Sequence, residues 1–236
     1  MNDKYFKVEN REIDVNQEYN TQDFNYGKNF DFLKYQHFLN AYARVMYQLD
    51  ISVDFLVSLN NQIFLNGNDY LGQVRNCIVD EEFIDIYKLT NIPEHKDQRI
   101  PLGMVNYFIQ SFDAQNQFVL FYNGTLLWEF FLEIVRNSDF SEKPRRLNST
   151  FFFEDLESCN YYIDNHLDGN GKIYEIEIIK PEKLFEADMK IIDNVSNHVK
   201  FKDLVKQFQK YWHGELTESP IKEVVFSGRF KYKDCN

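Results

Sequence analysis

Cysteine, basic charge and long apolar runs are all scarce in this 236-residue sequence, and each scarcity excludes a class of protein. The three cysteines, Cys77, Cys159 and Cys235, lie far apart and form no CxxC pair. That excludes a disulfide framework and a cysteine zinc site. The five histidines show no HExxH or other close ligand spacing, so no metal site is expected. No apolar stretch approaches the length of a membrane span. The N-terminus, Met1-Asn2-Asp3-Lys4-Tyr5, has no signal-peptide core. A reducing, cytoplasmic setting with no membrane partner is expected. The net charge is −11 and no basic stripe is visible. Extended nucleic-acid binding is disfavoured, because lysine and arginine must displace phosphate counterions. The sequence also lacks a GxSxG elbow, a glycine-rich phosphate loop and a Cys-His nucleophile signature.

What is present is apolar and aromatic. Hydrophobic residues make up 44% of the chain, enough for a globular core. Tyr5 to Glu9 reads as a short strand. From Asn29 to about Phe112 the apolar residues recur at helical spacing: Phe38, Leu39, Tyr42, Val45 and Met46; then Phe55, Leu56, Leu59 and Ile63; then Phe83, Ile84 and Tyr87; then Met104, Tyr107 and Phe108. Leu126 to Arg136 reads as an amphipathic helix. Ser149 to Phe153 is a strand by aromatic content, and Asp155 to Tyr162 a short helix. Lys172 to Ile179 alternates as a half-buried strand. Phe201, Leu204, Val205, Phe208 and Tyr211 form a helical stripe closed by Gly214. Val224 to Tyr232 is the last strand. Strands and helices mix without regular βαβ alternation, so the fold class is α+β. The chain reads as one domain, 1–236, with a helical insertion at about 29–112 after the first strand.

Asp164 to Glu175 nearly fits a calcium loop. His166 and Lys172 occupy ligand positions, and a strand pattern follows where a helix is needed. It reads as a glycine-rich turn into a strand.

Three blocks recur in order near the C-terminus: Pro144-Arg145-Arg146-Leu147-Asn148-Ser149-Thr150-Phe151-Phe152-Phe153; Phe185-Glu186-Ala187-Asp188-Met189; and Tyr211-Trp212-His213-Gly214-Glu215 followed by Glu223-Val224-Val225-Phe226. With Glu9-Asn10-Arg11, Glu133-Ile134-Val135-Arg136, Leu156-Glu157 and Tyr174-Glu175-Ile176-Glu177, they resemble an uncharacterised prokaryotic family. Through it they resemble the ADP-ribosyltransferase superfamily. The likeness covers about residues 1–20 and 125–233.

The resemblance implies a split, twisted β-sandwich of ADP-ribosyltransferase type. It implies an NAD-dependent mono-ADP-ribosyltransferase, perhaps acting as a toxin or phage-defence effector, with NAD as substrate. The acceptor would be an unknown macromolecule or small molecule, and an antitoxin partner is conceivable. Glu223, at the head of the late strand, takes the catalytic position. Lys7, Arg11, Arg146, Ser149, Thr150, Tyr161 and Tyr162 take the NAD-binding positions. Breaking the nicotinamide–ribose bond develops oxocarbenium character, which a fixed carboxylate stabilises. Cations hold the pyrophosphate, and an aromatic face holds nicotinamide. Lys7 stands where the family carries histidine, and Ile221 where arginine-modifying relatives carry Glu or Gln. The first favours an alternative, a catalytically inactive binding domain on the same fold. The second argues against an arginine-directed enzyme.

Overall fold

Aromatic and β-branched residues decide where the strands lie. The computed structural model describes residues 4–29, 32–54, 83–85, 87–88, 93, 96–97, 99–103, 125–196 and 198–235. Its elements in chain order are β1 (Tyr5–Glu9), β2 (Glu18–Asn20), α1 (Phe32–Leu49), β3 (Phe83–Asp85), β4 (Arg99–Pro101) and α2 (Thr125–Asp139). There follow β5 (Thr150–Phe153), α3 (Leu156–His166), β6 (Lys172–Asp188), α4 (Lys190–Asp193), α5 (Phe201–His213) and β7 (Lys222–Asp234). Short 3-10 turns occupy Tyr26–Asn29 and Arg146–Asn148. The chain divides into two units. One holds Met1–Asp31, Phe131–Asn194 and Lys206–Asn236; the other holds Phe32–Phe130 and Val195–Val205.

The first unit is built on one antiparallel sheet of order β2-β7-β5-β1-β6, in which β6 also pairs with β7. That extra pairing closes the sheet into a barrel-like form. β6 and β7 pair along their lengths, with register shifts between Ile178 and Lys180 and between Pro181 and Lys183. Bulges of this kind bend a strand and re-aim its side chains. Past the bend β7 exchanges β5 for β2, and β6 leaves β1 and keeps β7 alone. The first half of β6 lies beside β1, and the first half of β7 beside β5.

Residues paired across antiparallel strands share a face, so register sorts the side chains. Tyr19, Phe152, Tyr174, Ile176, Val224, Phe226, Phe230 and Tyr232 form one buried cluster. Its rings meet at centroid separations such as 5.0 Å for Phe152–Phe226 and 5.4 Å for Tyr174–Tyr232. Such pairs add about 0.5–1.5 kcal/mol each beyond simple burial. The opposite face carries Val8, Phe153 and Ile221, packed against Cys159 of α3 and Met189. Burial pushes the Cys159 thiol up to about 12, so it stays protonated and inert.

Gly228 makes the bend possible. Its φ is +137°, a region side chains avoid, and an added Cβ would stand 2.2 Å from the Lys180 carbonyl oxygen. Buried Thr21 clasps it from the other side: the Gly228 N–H donates to Thr21 Oγ1, and the Thr21 N–H to the Gly228 carbonyl, each at 3.0 Å. Gly228→Ala should therefore cost about 2–4 kcal/mol, from backbone strain and overlap together. Urea unfolding of the two proteins measures it; an unchanged midpoint would show that the bend tolerates a side chain.

α5 presents Leu204, Phe208, Tyr211 and Trp212 as one fully buried stripe. The Trp212 indole N–H donates to the Leu132 carbonyl at 3.0 Å, and its ring stacks on Phe185 at 5.5 Å. The helix stops at Gly214, with φ +76°. In the second unit, α1 buries Leu39, Val45 and Met46. It ends at Asp50, in the left-handed region, whose carboxylate accepts the Lys202 N–H at 2.9 Å.

Several expectations need correction. Phe83 and Ile84 were expected in a helix but lie in β3, paired with β4 through Ile84 and Ile100. The 29–112 span is therefore not all helical. Helices expected at 55–64 and 104–108 lie outside the described residues. The strand expected at Lys172–Ile179 continues to Asp188. Lys180-Pro181-Glu182-Lys183 looked like a terminus, but it is the bulged bend, where a missing N–H is tolerated. The turn at Asp168-Gly169 does lead into a strand, with φ of 50° and 77°.

Candidate functional site

The loop entering β5 is organised by one carboxylate. Glu133, on α2, takes a two-pronged ion pair from Arg136 at 2.8 and 3.0 Å and a third contact from Arg145 at 3.1 Å. The Arg136 guanidinium also donates to the Ser141 and Lys143 carbonyls. Planar guanidinium forks fix geometry as well as charge. The Glu-x-x-Arg block thus shapes the chain that delivers Arg146.

Arg146 is 8% exposed and Glu223 3% exposed. Arg146 Nη1 donates to Glu223 Oε1 at 2.6 Å and also to the Tyr211 hydroxyl. The Tyr211 hydroxyl donates to the same Oε1 at 2.7 Å. The guanidinium carbon lies 4.5 Å from the Phe151 ring centroid and 5.2 Å from that of Tyr211. Glu223 stands on the second residue of β7, opposite Phe153, which is opposite Phe6 of β1. These three share a face.

α3 approaches the same face. Tyr162 packs on Phe153 at 5.4 Å and stacks on His166 at 5.1 Å, with rings 17° from parallel. Burial, then the carboxylates of Glu223 and Glu9, push the Tyr162 phenol above its ordinary value. Phe153, on which Tyr162 packs, is the residue paired with Glu223. At the end of α4, Asp193 Oδ2 accepts from the Tyr161 hydroxyl at 3.1 Å and contacts His166 Nε2 at 3.2 Å. Lys190 Nζ lies 5.5 Å from the Tyr161 ring centroid.

Hydrogen bonding to the Asp193 carboxylate raises the His166 pKa above its ordinary value, against a smaller lowering by burial. A raised folded-state pKa gives stability that is fully present below the unfolded value, about 6.5, and is lost as pH rises through the folded value. Asp193→Asn should therefore lower the melting temperature more at pH 6 than at pH 8.5. An equal drop at both would show that the charged pair contributes nothing.

The sequence-derived residues do not all meet. Arg146 reaches Glu223, and Tyr162 lies beside it. Tyr161 shares the α3 surface with Tyr162. Lys7 does not join them: it pairs in register with Tyr174, on the opposite face from Phe6. Lys7 Nζ instead meets Glu9 at 3.4 Å, where Arg11 also binds at 3.3 Å while lying over Phe24 at 4.5 Å. Glu9 further accepts from the Tyr232 hydroxyl at 2.6 Å. Lys7 and Arg11 thus belong to a second cluster, and burial lowers the Lys7 pKa. Thr150 pairs with Phe226 and shares the aromatic face, not that of Glu223. Ser149 is fully buried, and its hydroxyl donates to the Arg145 carbonyl at 2.8 Å, which ties the turn.

One residue of the cluster went unassigned in the sequence: Tyr211, which looked like part of a helix stripe. Asp188, in the Ala-Asp-Met block, braces a loop, as its sequence setting allowed. Fully buried, it accepts from the Lys190 and Ile221 N–H groups through Oδ1 and from the Thr217 N–H and hydroxyl through Oδ2. It fixes the loop that leads to Glu223. A cavity of about 310 Å³ is lined by Asp155, Glu157, Ser158, Lys190, Ser219, Pro220 and Ile221. Among the described residues, no cluster of three metal-ligating side chains occurs, and no helix is long and apolar enough to cross a membrane.

Fold and site define an α+β protein with a barrel-like sheet and a buried Arg–Tyr–Glu cluster at the head of its last strand. A family model described as "Protein of unknown function (DUF2441)" matches residues 5–234, and the chain belongs to that family. No curated protein matches the chain.

Proposed function

We propose that the chain is an NAD-dependent mono-ADP-ribosyltransferase. The observation that carries the reading is the position of Glu223. It heads the last strand, one strand over from β5 and two from β1, on the face that α3 covers with its tyrosines. The strand order supports the split-sandwich expectation, since β1, β5 and β7 run side by side and the two longest strands bend in the middle. In the reaction, the bond between the ribose C1′ and the nicotinamide nitrogen breaks, and nicotinamide leaves with the electron pair. The acceptor's nucleophile bonds C1′ and gives up a proton. Glu223 supplies the fixed negative charge that stabilises the oxocarbenium-like transition state. Tyr162, with Tyr161 beside it, supplies the aromatic face for nicotinamide.

Two observations favour the second reading, an inactive NAD- or partner-binding domain on this fold. Glu223 is already paired with Arg146, and Lys7 lies on the other face. Incubation of the purified protein with labelled NAD and a cell lysate separates the readings. Release of nicotinamide with label in a macromolecule or small acceptor supports the transferase. No release, with a melting temperature raised by NAD, supports the binding domain.

A further inference from the structure

We infer that Tyr211 and Arg146 are positioning residues for Glu223, and that Arg146 is not a pyrophosphate ligand. The inference rests on the transferase reading above. Its observations are the two donors on one carboxylate oxygen and the confinement of the donors themselves.

Both donors converge on Oε1, at 2.6 Å from Arg146 and 2.7 Å from Tyr211. Among the described residues none is hydrogen-bonded to Oε2. Two donors on one oxygen hold that end of the carboxylate in place. Each donor is itself held. Tyr211 is fully buried in the α5 stripe, with its ring edge-on to Phe185 at 6.0 Å and to Trp212 at 5.1 Å. Arg146 has the Phe151 and Tyr211 rings near its guanidinium, and it sits in a turn braced by the Ser149 hydroxyl. A guanidinium so enclosed cannot follow a mobile diphosphate without giving up the carboxylate and the phenol together. Leaving a buried charge unpaired is strongly unfavourable. The Tyr-Trp-x-Gly block and the Arg-Leu-Asn-Ser block thus act on the same atom, from positions 12 and 77 residues away from Glu223. A group placed in this way acts through geometry, and a displacement of about 1 Å can cost on the order of a hundredfold in rate.

The test uses the full chain and steady-state nicotinamide release from NAD. Tyr211→Phe removes one oxygen and keeps the packing. Its kcat should fall about tenfold to a hundredfold, with KM for NAD within about threefold of wild type. Arg146→Lys keeps the charge and one donor, whereas Arg146→Met keeps only bulk. The Lys variant should retain activity between wild type and the Met variant, with the same KM. Three results overturn the inference. A Tyr211→Phe variant that matches wild type in kcat while melting lower shows a structural role only. An Arg146 variant that raises KM in proportion to its loss of kcat/KM shows a ligand contact. A wild type that releases no nicotinamide at all sinks the transferase reading first and the inference with it.

Discussion

Glu223→Gln should lower the rate of nicotinamide release on the order of a hundredfold or more, which is what losing one preorganised electrostatic group typically costs. Affinity for NAD should change far less, because the positive charge that Glu223 meets exists mainly in the transition state. The substitution is nearly isosteric, and the amide oxygen can still accept from Arg146 and Tyr211 at the Oε1 position. What disappears is the negative charge. The buried Arg146–Glu223 ion pair goes with it, and breaking such a pair costs about 3–5 kcal/mol. The variant must be assayed well below its own melting temperature, so that loss of rate is not loss of fold. Glu215→Gln and Glu218→Gln serve as controls, since both side chains are exposed in the loop before β7. If wild type turns over NAD and Glu223→Gln keeps pace with it, the reaction does not use this carboxylate.

Local periodicity made much of the fold legible. β1 falls on Tyr5–Glu9 as read, and the α5 stripe and its Gly214 stop were explicit in the spacing. The bend was not legible. Pro181 and the charges around it resemble a strand end, and only the pairing of Pro181 with Gly228 shows that β6 continues. β3 was missed because three residues are too few for period two to stand out against period 3.6.

The site divides along the same line. Glu223 was visible as a carboxylate at the head of a strand. Its partners were not, because a contact between Arg146 and Tyr211 spans 65 residues and leaves no local pattern. The misplacement of Lys7 has a specific cause. Alternation within β1 groups Lys7 with Tyr5 and Glu9, but the face they share is fixed only by the register of β1 against β6. A one-residue difference in register exchanges faces, and nothing in the sequence sets that register. Arg146 was read as a pyrophosphate cation because the resemblance calls for cations near the NAD diphosphate. Burial between Phe151 and Tyr211 gives it a different partner.

Asp188→Ala should be among the most damaging single substitutions in the first unit, at about 3–5 kcal/mol. The carboxylate is fully buried and accepts four hydrogen bonds at 2.6–3.0 Å. Three donors are backbone N–H groups, at Lys190, Thr217 and Ile221, and they cannot turn away to find another acceptor. Each buried donor left unsatisfied costs about 1–3 kcal/mol. Asp188→Asn is the sharper variant. One amide oxygen can still accept two of the bonds, but the NH2 group then faces two backbone N–H groups in one orientation and, in the other, the Thr217 N–H beside a hydroxyl that can turn to accept. Its loss should be smaller than that of Ala yet still near 2–3 kcal/mol. Urea unfolding of the three proteins gives the order wild type, Asn, Ala. The effect also reaches the site. Ile221 and Thr217 bracket the chain that enters β7, so a released loop loosens the position of Glu223. Nicotinamide release by the folded fraction should fall in both variants. If Asp188→Asn unfolds at the wild-type midpoint, the four bonds are not holding the loop, and the path from the Ala-Asp-Met block to Glu223 does not exist.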